Sequence, residues 1–498
     1  MNSQNEKESS FGVEVKNFLF KNLTNRQTLA KNAFWLAVGN LGGRFIRAAV
    51  IIYAARVLGA AGWGVFSYGI TLVAFLTIFV DIGIDSILTR ESAKAKEDLL
   101  RQVQIISTSF FIKILLLAMG VLVVIFVAPE FATLPGVDRL LPIMAAILVF
   151  DTFRNLGFSL IRAREKMEVE AALYLLTNVA IVAFGFGALY LRPTVMSFTL
   201  AYAVGTAIGL LATSYVLRKD IAGTLSNFSK SLVKEILSSA WPFAISGVLG
   251  LLLLNTDILI IGWFRSATDV GFYSASVRVI QLLYIFGGVL ASSSLPIFSR
   301  FIKEEQERIR IALRNILRFA FSFSLPVAFC GIAAGNEIIN LLFGAEYAPA
   351  ALSFQLLLMT FTFGSMAVIL NNVIFVYNRQ RVLIVYAAIG GFLNVAFDLL
   401  LIPRYGINGS AVATLLSSII ADFYLWYIAW RIVGFDLNLK VGKILLSSAV
   451  SALFLYAILR MGAHILLAIP LAGLLYLTML YLLKESILKE ARSILQAG

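Results

Sequence analysis

The sequence predicts an all-α polytopic membrane protein with about fourteen transmembrane helices: two pseudo-symmetric six-helix lobes followed by two C-terminal helices. Three observations predict it. Apolar residues gather in runs of roughly 20 to 27, long enough to cross a hydrocarbon core at about 1.5 Å per residue. The chain is 60% hydrophobic and 14% charged, with mean hydropathy +0.88, where soluble domains carry about 25% charged residues. One long hairpin is also written twice. Strand-period alternation is absent, which argues against a transmembrane barrel.

The duplicated stretch starts at Asn32-Ala33-Phe34-Trp35 and runs through Arg44 and Arg47 to Val57-Leu58-Gly59-Ala60-Ala61-Gly62-Trp63-Gly64-Val65-Phe66-Ser67-Tyr68, closing on Asp81, Asp85 and Arg90. About 207 residues later, Asp257-Ile258-Leu259-Ile260-Ile261-Gly262-Trp263-Phe264 leads into Asp269-Val270-Gly271-Phe272-Tyr273-Ser274, with Arg278 in the following apolar run. Gly64-x-Phe66-Ser67 thus falls opposite Gly271-x-Tyr273-Ser274. Further on, Asn178-Val179 matches Asn394-Val395. Six spans separate corresponding elements, an even number, so the copies run parallel about an axis along the membrane normal.

In chain order, residues 1–31 form a cytoplasmic segment, amphipathic on anionic lipid or disordered, with Phe11, Val15, Phe18, Leu19 and Leu23 on one side. The N-terminal lobe, 32–217, holds spans at 32–55, 65–88, 103–127, 140–161, 171–191 and 195–217. A cytoplasmic linker, 218–236, carries Arg218, Lys219, Lys230 and Lys234. The C-terminal lobe, 237–430, holds spans at 237–263, 270–298, 315–334, 350–376, 382–402 and 407–430. Residues 431–498 add spans at 443–460 and 464–483 and a cytoplasmic tail.

Lys and Arg crowd the loops on the side of the N-terminus, whereas the opposite loops carry single arginines at 56, 139, 192, 265, 404 and 460. Both termini are therefore expected in the cytoplasm of a multi-pass protein of the cell membrane. The same bias accounts for the net charge of +13 without nucleic acid. The first thirty residues contain no compact apolar segment followed by a small-residue cleavage site, so the first span is expected to serve as the insertion signal. One cysteine, Cys330, excludes an intrachain disulfide, and one histidine, His464, excludes a histidine-rich metal centre. No metal site and no cofactor are expected. No loop is long enough for a soluble domain, and no G-x-x-x-x-G-K-[ST] phosphate loop occurs. The tryptophans fall mostly near span ends, as interfacial anchors do.

Charges inside spans are costly and mark paths or sites. Arg44 and Arg47, at i and i+3, share one face of the first span. They repel unless an anion lies between them, so they bind an anionic substrate or pair structurally with Asp151, Asp257 or another acid. Arg278, two turns into the eighth span, makes a charged cargo contact or pairs with Asp257. Asp257, Asp398 and Asp422 are candidates for carrying H+ or coordinating Na+, or serve as helix–helix hydrogen-bond acceptors. Asp81 and Asp85, one turn apart near Arg90, anchor a gate or interface, with ion coupling the lesser reading. Asp151 and Arg154 satisfy one another, and Lys113 lines a cavity or snorkels.

The motifs Asn32-Ala33-Phe34-Trp35, Arg56-Val57-Leu58-Gly59-x-x-Gly62-x-Gly64-x-Phe66-Ser67, Asp81-Ile82-Gly83-Ile84, Gly271-x-Tyr273-Ser274-Ala275 and Tyr405-Gly406-Ile407-Asn408-Gly409-Ser410 carry a resemblance over essentially the whole chain. It resembles the polysaccharide (O-antigen and exopolysaccharide) flippases of the multidrug/oligosaccharidyl-lipid/polysaccharide exporter superfamily. The resemblance implies a non-enzymatic, alternating-access flippase that moves isoprenoid-diphosphate-linked oligosaccharides from the cytoplasmic to the external leaflet for cell-surface glycan assembly. It implies a central cavity between the lobes, with the cationic residues Arg44, Arg47 and Arg278 meeting the diphosphate. The last two spans resemble those of the lipid II flippase branch, where they help hold a lipid tail. Membrane lipids and a glycan polymerase or ligase partner go with that reading; no oligomerisation face stands out in the sequence, so a monomer is expected. The alternatives are a cation-coupled multidrug antiporter of the same superfamily, for which acidic cavity residues would be favoured, and a membrane-bound glycosyltransferase or ligase, which would need positioned acid/base groups.

Overall fold

The computed structural model describes residues 25–131, 133–221, 226–254, 256–302, 306–436 and 439–485. The expected N-terminal surface segment and the C-terminal tail lie almost entirely outside the described residues. Everything regular that is described is helical: α1 (Asn25–Asp81), α2 (Ile84–Lys94), α3 (Leu99–Leu122), α4 (Leu141–Ala163), α5 (Met167–Leu191), α6 (Val195–Val216), α7 (Lys230–Leu254), α8 (Thr256–Phe264), α9 (Ala267–Phe301), α10 (Gln306–Ala333), α11 (Gly335–Phe343), α12 (Ala350–Val376), α13 (Gln380–Val433), α14 (Gly442–Arg460) and α15 (Ile465–Leu482). Twelve of these helical stretches are long and apolar enough to cross a membrane.

Two are too long for a single crossing. A straight helix of the 57 residues of α1 would reach about 85 Å, well over twice a hydrocarbon core. Each breaks at one glycine with non-helical backbone: Gly59 at φ 68° and ψ 174° in α1, and Gly406 at φ 59° and ψ −140° in α13. Residues with a Cβ rarely adopt such conformations. Beyond Gly406 the chain folds back on itself, because a Cβ on Gly409 would lie 2.5 Å from the Leu401 carbonyl oxygen. Arg265 donates to the carbonyls of Ile402 and Pro403 at 2.8–3.1 Å, capping the helical turn that ends there.

Several expected limits move. The second apolar segment begins at Ala60 rather than 65, and breaks at Ile82 (φ 41°) and Gly83 (φ 85°) before α2. The described helical residues of the seventh, α7 and α8, lie on either side of position 255, which is outside the described residues. The eighth and ninth extend to Ala267–Phe301 and Gln306–Ala333, since polar first and last turns project beyond an apolar core without losing helicity. A capping box in which Ser266 and Asp269 bond each other's backbone starts α9. Trp63 departs from the interfacial pattern and is buried.

The helices gather into two compact units. One holds the chain up to Val57, Leu72–Ala132 and Gly136–Val248; the other holds Leu58–Thr71, Thr133–Pro135 and Leu249 onward. The core of the first packs Ile84, Ile87 and Leu88 of α2 against Leu156 and Ile161 of α4 and Ile236 of α7. The core of the second packs Leu313 and Leu317 of α10 against Ile369 and Leu370 of α12 and Leu425 of α13. In that second unit α14 and α15 rest on α10: Leu325 meets Ile444, Tyr476 and Leu480, and the Tyr476 hydroxyl donates to the Ser322 carbonyl at 2.7 Å. Large apolar side chains such as Phe126, Leu211, Phe423 and Leu453 remain exposed, as helices solvated by lipid require.

The transfer of Leu58–Thr71 to the second unit has a local cause. Gly64 sits on the Ala267 carbonyl, and Gly271 on that of Ala60, so the matched turns of the repeat meet backbone to backbone. The Glu346 carboxylate accepts from the Ala60 amide at 2.8 Å, supplying a remote cap where the helix restarts after Gly59.

Candidate functional site

In the first unit, Gly39 and Gly43 let α1 approach α5 closely. A Cβ on Gly39 would come within 2.9 Å of Ala171, and one on Gly43 within 2.5 Å of the Tyr174 ring and 2.7 Å of the Asn178 amide. This approach places the Arg47 guanidinium among neutral oxygens. Its Nε donates to Asn178 Oδ1 at 2.6 Å, Nη2 to the Tyr174 hydroxyl at 3.0 Å, and Nη1 to the Tyr202 hydroxyl at 3.2 Å. Asn178 is itself oriented by donating to the Tyr174 carbonyl at 2.7 Å. The structural pairing weighed for Arg47 with Asp151 is not made, since Asp151 pairs with Arg154 at 2.8 Å. Arg44, one turn before Arg47, is exposed and forms no hydrogen bond or ion pair with a described residue. The site therefore carries two positive charges without a carboxylate in contact.

In the second unit the matched asparagine stands in an opposite environment. Asn394 Nδ2 donates to Thr414 Oγ1 at 3.3 Å, and Thr414 Oγ1 lies 3.2 Å from Asp257 Oδ2. The Tyr273 hydroxyl donates to the same carboxylate oxygen at 2.5 Å. Ser410, one turn before Thr414, donates to Asp398 Oδ1 at 2.9 Å. Asp257 and Asp398 are both buried, and among the described residues neither forms an ion pair and Asp257 Oδ1 and Asp398 Oδ2 have no hydrogen-bond partner. Two buried carboxylates with unspent oxygens, beside an amide and three hydroxyls, make an oxygen-rich nest for a small hard cation or a shared proton. Its ligands come from α8, α9 and α13, far apart in sequence.

The other expected residues fall elsewhere. Asp257 does not turn to Arg278, whose Nη1 donates to Gln281 on its own helix at 3.0 Å. Asp422 is buried apart from the nest and accepts from the Tyr386 hydroxyl at 3.0 Å. Asp81 and Asp85 share one cation: the buried Lys113 Nζ lies 2.5 Å from Asp81 Oδ1 and 2.6 Å from Asp85 Oδ1. Arg90, expected beside them, pairs with Glu91 at 2.7 Å. Lys113 is buried and bridges Asp81 and Asp85 across the break at Ile82-Gly83. An open groove of about 700 Å³ at the start of α7, lined by Phe228, Lys230, Val233, Lys234, Leu237 and Ser238, contains none of these groups.

Sequence reasoning missed Tyr174, Tyr202, Tyr273, Ser410 and Thr414. Tyr273 and Ser410 stand inside the motifs Gly271-x-Tyr273-Ser274-Ala275 and Tyr405-Gly406-Ile407-Asn408-Gly409-Ser410 without a role read from them, and the repeated Asn-Val pair has an asparagine at each centre. Among the described residues, no three His, Cys, Asp or Glu gather as a metal site.

A family described as "Polysaccharide biosynthesis protein" matches residues 29–302. A probable low-salt glycan biosynthesis flippase of Haloferax volcanii is 24% identical over 397 residues, 78% of this chain and 81% of the relative. A putative O-antigen transporter of Shigella flexneri is 22% identical over 415 residues, 81% of this chain and 98% of the relative. Among solved structures, the lipid II flippase MurJ in an inward closed conformation superposes with a TM-score of 0.70 at 16% identity, covering 90% of this chain and 98% of that one. The fold is shared with that flippase.

Proposed function

Because the chain belongs to the polysaccharide biosynthesis protein family, we propose that it is a flippase carrying isoprenoid-diphosphate-linked oligosaccharides from the cytoplasmic to the external leaflet of the cell membrane. The observation that carries this reading is the pairing of Arg47, fixed by three neutral oxygens, with an unpartnered Arg44 one turn away. A diphosphate cannot enter hydrocarbon uncompensated. Two guanidiniums offer it charge and forked donors, and no described carboxylate is hydrogen-bonded to either. The asparagine and tyrosines keep Arg47 oriented without neutralising it. Arg278 adds a third cation in the second unit. The relatives described as a glycan flippase and an O-antigen transporter support the same cargo class.

In this reading α1 and α13 each divide into two spans at Gly59 and Gly406, giving fourteen, with lobes at 32–217 and 237–430 joined by the cytoplasmic linker 218–236. Both termini face the cytoplasm, and the lobes alternate access to the two sides. The Asp257–Asp398 nest couples transport to a Na+ or H+ gradient, which supplies the driving force in the absence of an ATP-binding loop. The protein acts as a monomer beside a glycan polymerase or ligase.

The test is headgroup translocation in proteoliposomes with a fluorescent isoprenoid-diphosphate oligosaccharide. Transport is expected in the wild type and lost in Arg44→Ala and Arg278→Ala of normal stability. A wild type that moves no such carrier under proton, sodium or voltage gradients, yet exports an organic cation, overturns this reading in favour of the antiporter; the acidic nest in the second unit is what that reading would use.

A further inference from the structure

A second polar feature of the first unit shares only Tyr174 with the arginine pair. Between α1, α4 and α5 lies a cavity of about 190 Å³ whose lining includes Asn40, Asn155, Phe158, Arg162, Glu170 and Tyr174. Arg162 and the buried Glu170 form a bidentate pair at 2.5 and 2.8 Å, neutral as a unit. Asn40 Nδ2 donates to the Leu36 carbonyl at 2.9 Å, leaving its oxygen open. The Asn155 side chain has no hydrogen-bond partner among the described residues.

We infer that this cavity is a subsite for a single neutral sugar ring, the one attached directly to the diphosphate. The inference rests on the flippase reading and deepens it.

The lining selects by chemistry. A phosphate is disfavoured, because the charge of the one arginine is already balanced by Glu170. A cationic ligand is disfavoured for the converse reason, since the one acid is spent on Arg162. An apolar ligand would strand two amides and an ion pair. A polyhydroxylated ring satisfies all of them: adjacent hydroxyls both donate and accept, as amides do, while Phe158 and Tyr174 offer apolar faces to its C–H side. The cavity is too small for an oligosaccharide.

Position supports the assignment to the first sugar. Asn40 and Arg44 are four residues apart on one face of α1, about one 5.4 Å turn. A ring held at Asn40 leaves its diphosphate at Arg44. Tyr174 joins the two sites, because it lines the cavity and its hydroxyl accepts from Arg47 at 3.0 Å. A sugar that draws on Tyr174 thereby reaches the guanidinium that meets the phosphates.

The experiment compares two fluorescent carriers in proteoliposomes of the full chain: the bare isoprenoid diphosphate and the same carrier bearing one neutral hexose. The wild type is expected to show a KM about tenfold lower for the glycosylated carrier, the scale of a few matched polar contacts. Asn155→Leu and, independently, the exposed-site variant Asn40→Ala are expected to reduce that preference towards unity. A preference that survives in both variants overturns the subsite, as does a wild type that handles the two carriers alike. A wild type that moves neither carrier removes the flippase reading itself, and the sugar assignment with it.

Discussion

Gly64 and Gly271, matched across the internal repeat, each lie against the backbone at the start of the other's helix. A Cβ on Gly64 would collide with the Ala267 carbonyl and come within 2.9 Å of the Gly271 nitrogen; one on Gly271 would collide with the carbonyl of Ala60. Ala60 and Ala267 are themselves the matched first residues of those helices. The contact is thus reciprocal, the signature of a local two-fold relation between duplicated segments. Backbone atoms cannot swing aside as a side-chain tip can, so only glycine fits.

Gly64→Val and Gly271→Val are therefore expected to destabilise the protein by about 1–3 kcal/mol, the usual cost of overpacking. Gly442→Ala, at a position with nothing within 4 Å of the added methyl, serves as the control and should change little. Thermal unfolding in detergent reads both. Equal melting of all three variants would show that the helices separate readily at this crossing.

The two arginines of α1 should behave differently. Arg44→Ala removes an exposed, unpartnered group, so transport falls while stability stays within about 0.5 kcal/mol. Arg47→Ala strands Asn178 and two tyrosine hydroxyls, and should cost about 1–3 kcal/mol as well as transport. Chemical denaturation alongside translocation separates the two effects. Transport retained in Arg44→Ala would count against its contact with cargo.

Asp257→Asn and Asp398→Asn each replace one of two buried carboxyl groups. If the carboxylates served structure alone, either change would weaken the fold. As coupling groups, they should leave stability unchanged or raise it by about 1 kcal/mol while abolishing gradient-driven transport. Thr414→Val, which keeps both carboxyl groups and removes one oxygen, should shift the apparent ion affinity rather than eliminate it. Flux measured against imposed sodium and proton gradients distinguishes these outcomes.

Lys113→Met leaves Asp81 and Asp85 facing each other without their cation. The expected loss is about 3–5 kcal/mol, as for one partner taken from a buried pair. The triple variant Lys113→Met, Asp81→Asn, Asp85→Asn should recover most of it. Failure of the triple variant to recover would mean that Lys113 does more than neutralise the pair.

What the sequence determined by itself was decided by one-dimensional patterns. Apolar run length dictated membrane-crossing helices, because the bilayer thickness sets a minimum that few soluble elements reach. The offset repeat identified Gly64 with Gly271 and Asn178 with Asn394 before any contact was known. Charges within apolar runs singled out Arg44, Arg47, Asp257 and Asp398, since the cost of burying them does not depend on knowing their neighbours.

Tertiary structure alone decided what each charge meets. Lys113 reaches Asp81 and Asp85 from another helix, and no spacing along the chain announces that. Asp257 turned to Tyr273 and Thr414 rather than to Arg278, and Asp422 to Tyr386, for the same reason: partner choice depends on helix rotation and depth, which apolar periodicity leaves open when a helix is buried on several sides. The two asparagines read identically in sequence, yet one orients a cation and the other joins a carboxylate nest. Their helices bring different partners to matched positions, and the partners fix the chemistry.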